Sequence, residues 1–423
     1  MPDIKMLADR VRLVSESTDK FKTGCISVSM ALPMDEKMAA NALLVYLLKR
    51  SCKAYPDFSL LSGKLDELYG AILGAGVSKN GESQVLTLSI TCIADKFALE
   101  NESIQLEAAQ LLSDIIFKPN VKNGSFGAEA LATEKRLLIQ RIEEEFNDKR
   151  TYAFNKCVSC MCKNEAFGKD KYGTIEEIEA VKMADVYAAW KNMLSTAVFQ
   201  ITVVGAADAE KVASVFAKNF AKIERKPADM QTVFIQKSRR FNRVEEKFPV
   251  NQGKLVIGFR AGMTHRRDNI FAFTVMNDIF GMGTYSKLFT NIREKMSLAY
   301  YCWSRLVASK GIVLVESGID TDKEKKVTAE VLSQLSDLRN GKTDPEVLES
   351  SKRALRERHT FTTPEGILGW YSAQVLCDEI LTPEDMVSGI EQVTMEEVCE
   401  AAKKLSVDTV FMLSAQEEAE DEV

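Results

Sequence analysis

The chain states one structural plan twice. Cys25-Ile-Ser-Val-Ser-Met-Ala-Leu32 alternates as a half-buried strand does, and it is followed by Asp35-Glu36 and an apolar helix from Met38 to Leu48. About half a chain later, Lys254-Leu-Val-Ile-Gly-Phe-Arg-Ala261 supplies the same strand, His265-Arg-Arg-Asp268 the charged turn and Ile270 to Ile279 the helix. A helix and two strands come next in each half. The first set is Leu60 to Tyr69, Ala71 to Lys79 and Ser83 to Ile93, with Asn80-Gly81 as a hairpin turn. The second set is Ser286 to Lys295, Ala299 to Ala308 and Gly311 to Ile319. Further helices follow, and each half closes on a strand, Val198 to Val204 and Val410 to Ser414. This order predicts an α+β protein of two homologous domains, each a mixed sheet with helices on one face. The polar, proline-bearing stretch beginning Glu224-Arg-Lys-Pro-Ala-Asp229 divides them, giving a first domain over 1–223, a linker over 224–235 and a second domain over 236–423.

Length agrees with duplication, since 423 residues exceed what one ordinary core accommodates. A net charge of −6 gives no support for a nucleic-acid partner. No stretch approaches the roughly 18 consecutive apolar residues of a membrane span. The first residues lack the apolar core of a secretory signal, and nine scattered cysteines suit reduced thiols, so a cytoplasmic location without membrane association is expected. Cys157, Cys160 and Cys162 cluster, but no second ligand pair follows at short spacing, and they read as thiols on a helix. The run Gln416-Glu-Glu-Ala-Glu-Asp-Glu422 reads as a solvated tail.

One segment carries chemistry: Gly281-Met-Gly-Thr-Tyr-Ser-Lys-Leu-Phe-Thr-Asn-Ile-Arg-Glu-Lys-Met-Ser-Leu-Ala-Tyr300. Gly281 and Gly283 open a turn, a helix presents Arg293, and Tyr300 begins a strand. On residue type alone Arg293 is an exposed helix arginine and Tyr300 a half-buried strand residue. The whole run is more specific, and it resembles the second-domain signature of the pitrilysin/insulinase family of zinc peptidases. That resemblance implies two pitrilysin-like domains. It also implies that Arg293 and Tyr300 contact substrate and stabilise the transition state, with Gly281 and Gly283 lying in the substrate-binding turn. A guanidinium and a phenol are suitable donors to the oxyanion of peptide hydrolysis.

Catalytic members of that family carry His-x-x-Glu-His on the first long helix, with two zinc ligands and a general base, and a glutamate on a later helix as third ligand. This chain has two histidines, His265 and His359, far apart. Alignment places Ala42 and Tyr46 at the ligand positions, Val45 at the base and Arg141 at the third ligand, while Glu134 is kept. Glu143, Glu144 and Glu145 read as a solvated face. The chain is therefore expected to bind no zinc and to need no cofactor of its own.

Keeping the arginine–tyrosine pair without the zinc motif is similar to the non-zinc subunit of heterodimeric processing peptidases. It also resembles short bacterial relatives linked to modification of elongation factor P or to peptide maturation. By that resemblance the partner is a zinc-bearing paralogue, the heterodimer's substrate is a peptide, and this chain is inactive alone. The alternative is a scaffold member of the family with no part in proteolysis. A zinc peptidase active by itself is opposed by the missing ligands.

Overall fold

The computed structural model describes residues 2–100 and 102–416, so most of the acidic terminal run lies outside the described residues. Two compact units divide the chain. One comprises residues 1–142, 170–231 and 361–382; the other comprises 143–169, 232–360 and 383–423. The changeover at Gln231–Thr232 falls in a stretch, 224–241, that forms neither helix nor strand. Each unit also draws a segment from across that point in sequence.

The first unit is built on six strands: β1 (Asp3–Ala8), β2 (Val11–Ser17), β3 (Thr23–Pro33), β4 (Ile72–Asn80), β5 (Ser83–Ile93) and β6 (Val198–Gly205). Their order is β1-β2-β6-β3-β5-β4. The β2–β6 pair is parallel and the rest are antiparallel. The β4–β5 hairpin turns at Gly81, whose φ of 58° lies in the left-handed region that glycine enters without a Cβ clash. Ile26, Val28 and Met30 of β3, Leu86, Leu88 and Ile90 of β5, and Phe199, Ile201 and Val203 of β6 share one face. Helices Met38–Leu48, Ile104–Phe117, Met183–Thr196 and Ala209–Phe220 contribute to the same apolar core.

The intervening residues Ser27, Ser29, Gln200 and Thr202 are polar yet at most 1% exposed. They are buried because the helix Pro364–Ser372 crosses this second face. Ser27 Oγ lies 3.0 Å from Ser372 Oγ, Gln200 Nε2 donates to Tyr371 O at 2.6 Å, and Arg12 donates to the carbonyls of Gln374 and Cys377, each at 2.6 Å. Ser27, Gln200 and Thr202 thus find partners, while the equally buried Ser29 Oγ has none among the described residues. Alternation of this kind reads in sequence as a solvent-facing side, and the covering helix stands more than 150 residues away.

The second unit holds β7 (Asn242–Phe248), β8 (Gly253–Arg260), β9 (Tyr301–Val307), β10 (Ile312–Ile319) and β11 (Ser406–Ala415) in the order β7-β11-β8-β10-β9. The pairing senses repeat those of β2-β6-β3-β5-β4, with β7–β11 the one parallel pair. Helices Ile270–Asn277, Glu324–Arg339 and Met395–Lys404 belong to this unit, and the last opens with a reciprocal Thr394–Glu397 capping box. The helix Lys149–Met161 covers a face formed by Val256, Leu314, Phe411 and Leu413. Gly258 permits its close approach, since a Cβ there would lie 2.7 Å from Met161 Sδ. Cys157 and Cys162 are buried in this contact, and burial pushes both thiols well up from their ordinary range. The cysteine cluster is packing.

A group of buried charges fixes the end of this helix. Arg260 donates to Glu165 at 2.7 and 3.1 Å, to Asp408 at 2.9 Å and to Met161 O at 2.7 Å. Lys310, with no exposed surface, lies 2.6 Å from Glu165 Oε2. Burial alone would raise the Glu165 carboxyl, but hydrogen bonds from Arg260 and Lys310 outweigh it and hold the group below its usual 4.5. Glu165→Gln leaves two buried cations undercompensated and is expected to cost about 3–5 kcal/mol in denaturant unfolding. A depressed carboxylate stabilises above its ordinary value and ceases to do so as pH falls through the folded one. The gap between wild type and Glu165→Gln should therefore narrow on acidification below about pH 4.5, checked by melts across that range.

Candidate functional site

The helix Met38–Leu48 is buried along its whole length, with Ala42 and Val45 at 0% and Tyr46 at 7% exposure. Its apolar sequence makes it a core element. The helix Ala128–Asn147 brings Arg141 over the Tyr46 ring, the guanidinium carbon 4.1 Å from the ring centroid. Sequence alignment alone assigned Tyr46 and Arg141 to one ligand set, and the fold does bring them together. Their chemistry is a cation–π stack. Burial pushes the Tyr46 hydroxyl up to about 12, Tyr172 beside it adding to the effect and Arg141 opposing it. Glu134 is buried and accepts from Arg50 Nη1 at 2.8 Å, so its charge is already met.

These residues do not fit zinc. On the alignment that the family resemblance implies, a fixed positive charge stands where the third ligand would be, an alanine and a neutral phenol where the histidines would be, and Val45 can abstract no proton. His265 is exposed, and its Nδ1 accepts from Arg267 N at 3.3 Å. His359 lies at the end of the helix Pro345–Arg358 with Nδ1 2.7 Å from Leu355 O. Among the described residues, no group of three or more His, Cys, Asp or Glu could hold a metal ion.

The segment 278–300 has an unusual backbone. Two π-helical stretches, Asp278–Met282 and Phe289–Lys295, bracket the glycine turn, where sequence periodicity suggests an ordinary helix over 286–295. Wide bonding is visible in Met296 N to Asn291 O at 3.0 Å. Such turns are rare and recur at functional sites. Gly281 is present for space rather than backbone angle: a Cβ would lie 2.6 Å from Ser304 N on β9. Gly283 has φ −99°, open to any residue, but a Cβ there would meet the Tyr285 ring at 2.5 Å. The two glycines thus let this turn pack against β9 and Tyr285.

Arg293 lies on the second π-helical stretch, its side chain 46% exposed. It stacks on Phe289 at 4.7 Å and lies 3.9 Å from Glu294, a weak surface pairing. Ser297 then takes φ 48°, uncommon for a residue with a Cβ, and Leu298 N donates to Ile292 O at 2.9 Å to close the reversal. Tyr300 follows at 62% exposure, immediately before β9. Its N–H donates to Gly318 O at 2.9 Å and its hydroxyl to Asp320 at 3.3 Å. Arg293 and Tyr300 therefore each hold a separate, solvent-exposed contact. Tyr301, the next residue, is held under Arg150 at 4.7 Å, and burial pushes its hydroxyl up to about 12.

Sequence reading missed a further group here. Asp278, wholly buried, accepts from Tyr285 Oη at 2.5 Å and from Arg358 Nη1. Burial, then the Asp278 bond, pushes the Tyr285 hydroxyl well above its usual range. No spacing rule links residues 278, 285 and 358, so only the fold reveals them.

Residues 180–355 match the family model described as "Peptidase M16 inactive domain". The chain is 30% identical over 405 residues to a probable inactive metalloprotease, YmfF, of Bacillus subtilis (strain 168), covering 95% of each protein. A conserved protein from Enterococcus faecalis V583 superposes with a TM-score of 0.89 at 28% identity, covering 99% of this chain and 100% of that one. A peptidase M16 inactive domain from Pseudomonas fluorescens shares the fold at TM-score 0.79 and 16% identity over 99% of both chains. With both the zinc-ligand positions and the glycine–arginine–tyrosine segment located, these likenesses converge: the chain belongs to the M16 family of pitrilysin/insulinase-type peptidases, among members whose own zinc site is degenerate.

Proposed function

We propose that this chain is the non-catalytic subunit of a heterodimeric M16 peptidase. In this reading Arg293 and Tyr300 contact the peptide and stabilise the oxyanion at the active site of a zinc-bearing paralogue, in the cytoplasm. One observation carries the reading. The zinc-ligand positions are closed by the Tyr46–Arg141 stack, while Arg293 and Tyr300 stand exposed on a specialised backbone with only weak contacts of their own. Both side chains can be recruited by a substrate at small cost, because the Glu294 and Asp320 contacts are long and solvent-screened. Tyr300 offers an O–H donor and Arg293 a permanently charged fork, and together they favour a carbonyl oxygen that is gaining charge.

The purified chain is expected to hold far less than one zinc per molecule and to cleave no peptide alone. Elemental analysis and a fluorogenic peptide panel check this; one zinc per chain with chelator-sensitive cleavage would refute it. Co-purification with a His-x-x-Glu-His paralogue from the same genome should give a heterodimer that cleaves. In that complex, Arg293→Ala and Tyr300→Phe should each lower turnover on the order of 100- to 1000-fold. The loss should fall mainly on kcat, since the donors act most strongly in the transition state. Tyr301→Phe is the control. Wild-type turnover from both variants within an intact heterodimer would favour the scaffold role.

A further inference from the structure

Arg293 has no strong bond of its own to fix its direction. Its nearest carboxylate is the adjacent Glu294 at 3.9 Å, and its stacking partner Phe289 belongs to the same π-helical turn. Its aim must therefore come from the backbone segment that carries it. That segment begins at the glycine turn, and the turn is clasped by one buried carboxylate.

Asp278 starts the first π-helical stretch, Tyr285 stands just before the second, and Arg358 ends the helix Pro345–Arg358. Tyr285 Oη and Arg358 Nη1 donate to different oxygens of Asp278, whose side chain is 1% exposed. This closes the loop 278–285 into a ring, across which a Cβ at Gly283 would collide with Tyr285. The opposite end of the segment is held separately. Asn291 Nδ2 donates to Gln334 on Glu324–Arg339 at 2.9 Å, and Lys287 Nζ donates to Lys342 O at 2.6 Å. The widened turn Phe289–Lys295 starts after the first anchor and carries Asn291 of the second, so the angle at which Arg293 leaves the surface depends on both.

We propose that Asp278, Tyr285 and Arg358 are positioning residues that set the orientation of the 289–295 turn and so aim Arg293. None of the three is assigned contact with substrate. The inference rests on the role given above to Arg293, but it can be judged without it, because orientation is measurable in the isolated chain. A charge-assisted, desolvated carboxylate suits this task, since an alternative loop geometry leaves Asp278 buried and unpaired.

The test uses the full chain. The Arg293 Nε–Hε resonance, assigned by its loss in Arg293→Lys, is followed in Tyr285→Phe, Arg358→Ala and Arg358→Lys. The resonance should shift or broaden in Tyr285→Phe and Arg358→Ala, and move back toward the wild-type position in Arg358→Lys. In the reconstituted heterodimer, Tyr285→Phe should lower kcat on the order of 10- to 100-fold, the scale of a small misplacement, with KM little changed. Placed on Arg293→Ala it should cause no further loss, because both changes act through one group. An unmoved Arg293 resonance, or a Tyr285→Phe loss that multiplies fully with Arg293→Ala, would overturn the proposal. Should Arg358→Ala not fold, Tyr285→Phe and Arg358→Lys still decide it. Should Arg293→Ala itself turn over normally, the role given to Arg293 falls, and the resonance alone decides whether the three residues orient it.

Discussion

Each sheet must bury two faces, and the second face cannot be buried apolar against apolar alone. In the first unit it carries Ser27, Gln200 and Thr202, in the second Arg260 on β8. A desolvated polar group costs several kcal/mol unless bonded, and an unpaired charge costs more. The covering helix must therefore bring partners as well as bulk. Pro364–Ser372 and its C-terminal turn offer carbonyls and a serine to the first sheet; Lys149–Met161 offers the Met161 carbonyl to the second, and the turn after it offers Glu165. This requirement gives the two compact units their interleaved sequence segments.

The same economy of partners separates the two candidate sites. At the Tyr46–Arg141 stack the local groups are engaged internally: the Arg141 guanidinium lies on the Tyr46 ring, its buried Nη1 without a hydrogen bond among the described residues, and Glu134 takes a bond from Arg50. A site closed in this way is a piece of core. Around Arg293 the pattern is reversed, with strong bonds spent on the supporting backbone and the tip residues left weakly held. The support beneath Arg293 is firmly bonded while the exposed side chains it carries are not. A positive-φ serine and two π-helical turns in one short segment are backbone departures of the kind that cluster at functional sites.

The local grammar of the chain was largely legible in its sequence. Alternation in Cys25–Leu32 and Lys254–Ala261, the Asn80-Gly81 turn and the polar stretch after residue 223 are period and turn signals written in neighbouring residues. They predicted strands that form, a hairpin that turns at Gly81 and a duplicated succession of elements; the strand order within each sheet came only with the fold. Arg293 and Tyr300 were singled out by a twenty-residue pattern, and the expectation of no zinc by the lack of a histidine pair. The widened turns were not legible, because residues 286–295 satisfy an α-helical periodicity; packing of Gly281 against Ser304 and the buried Asp278 accompany the different register.

The sequence by itself determined the main strands and helices of each half, that the plan is stated twice, and that no His-x-x-Glu-His motif is present. Those properties depend on side-chain size, hydropathy period and residue type, all of them local. Only the tertiary structure decided that Pro364–Ser372 covers the first sheet and Lys149–Met161 the second, that Tyr46 and Arg141 stack, and that Asp278, Tyr285 and Arg358 meet. Those pairings link residues far apart in the chain. They are selected by the cost of leaving a buried polar group or charge without a partner, a cost that exists only once the fold has excluded water.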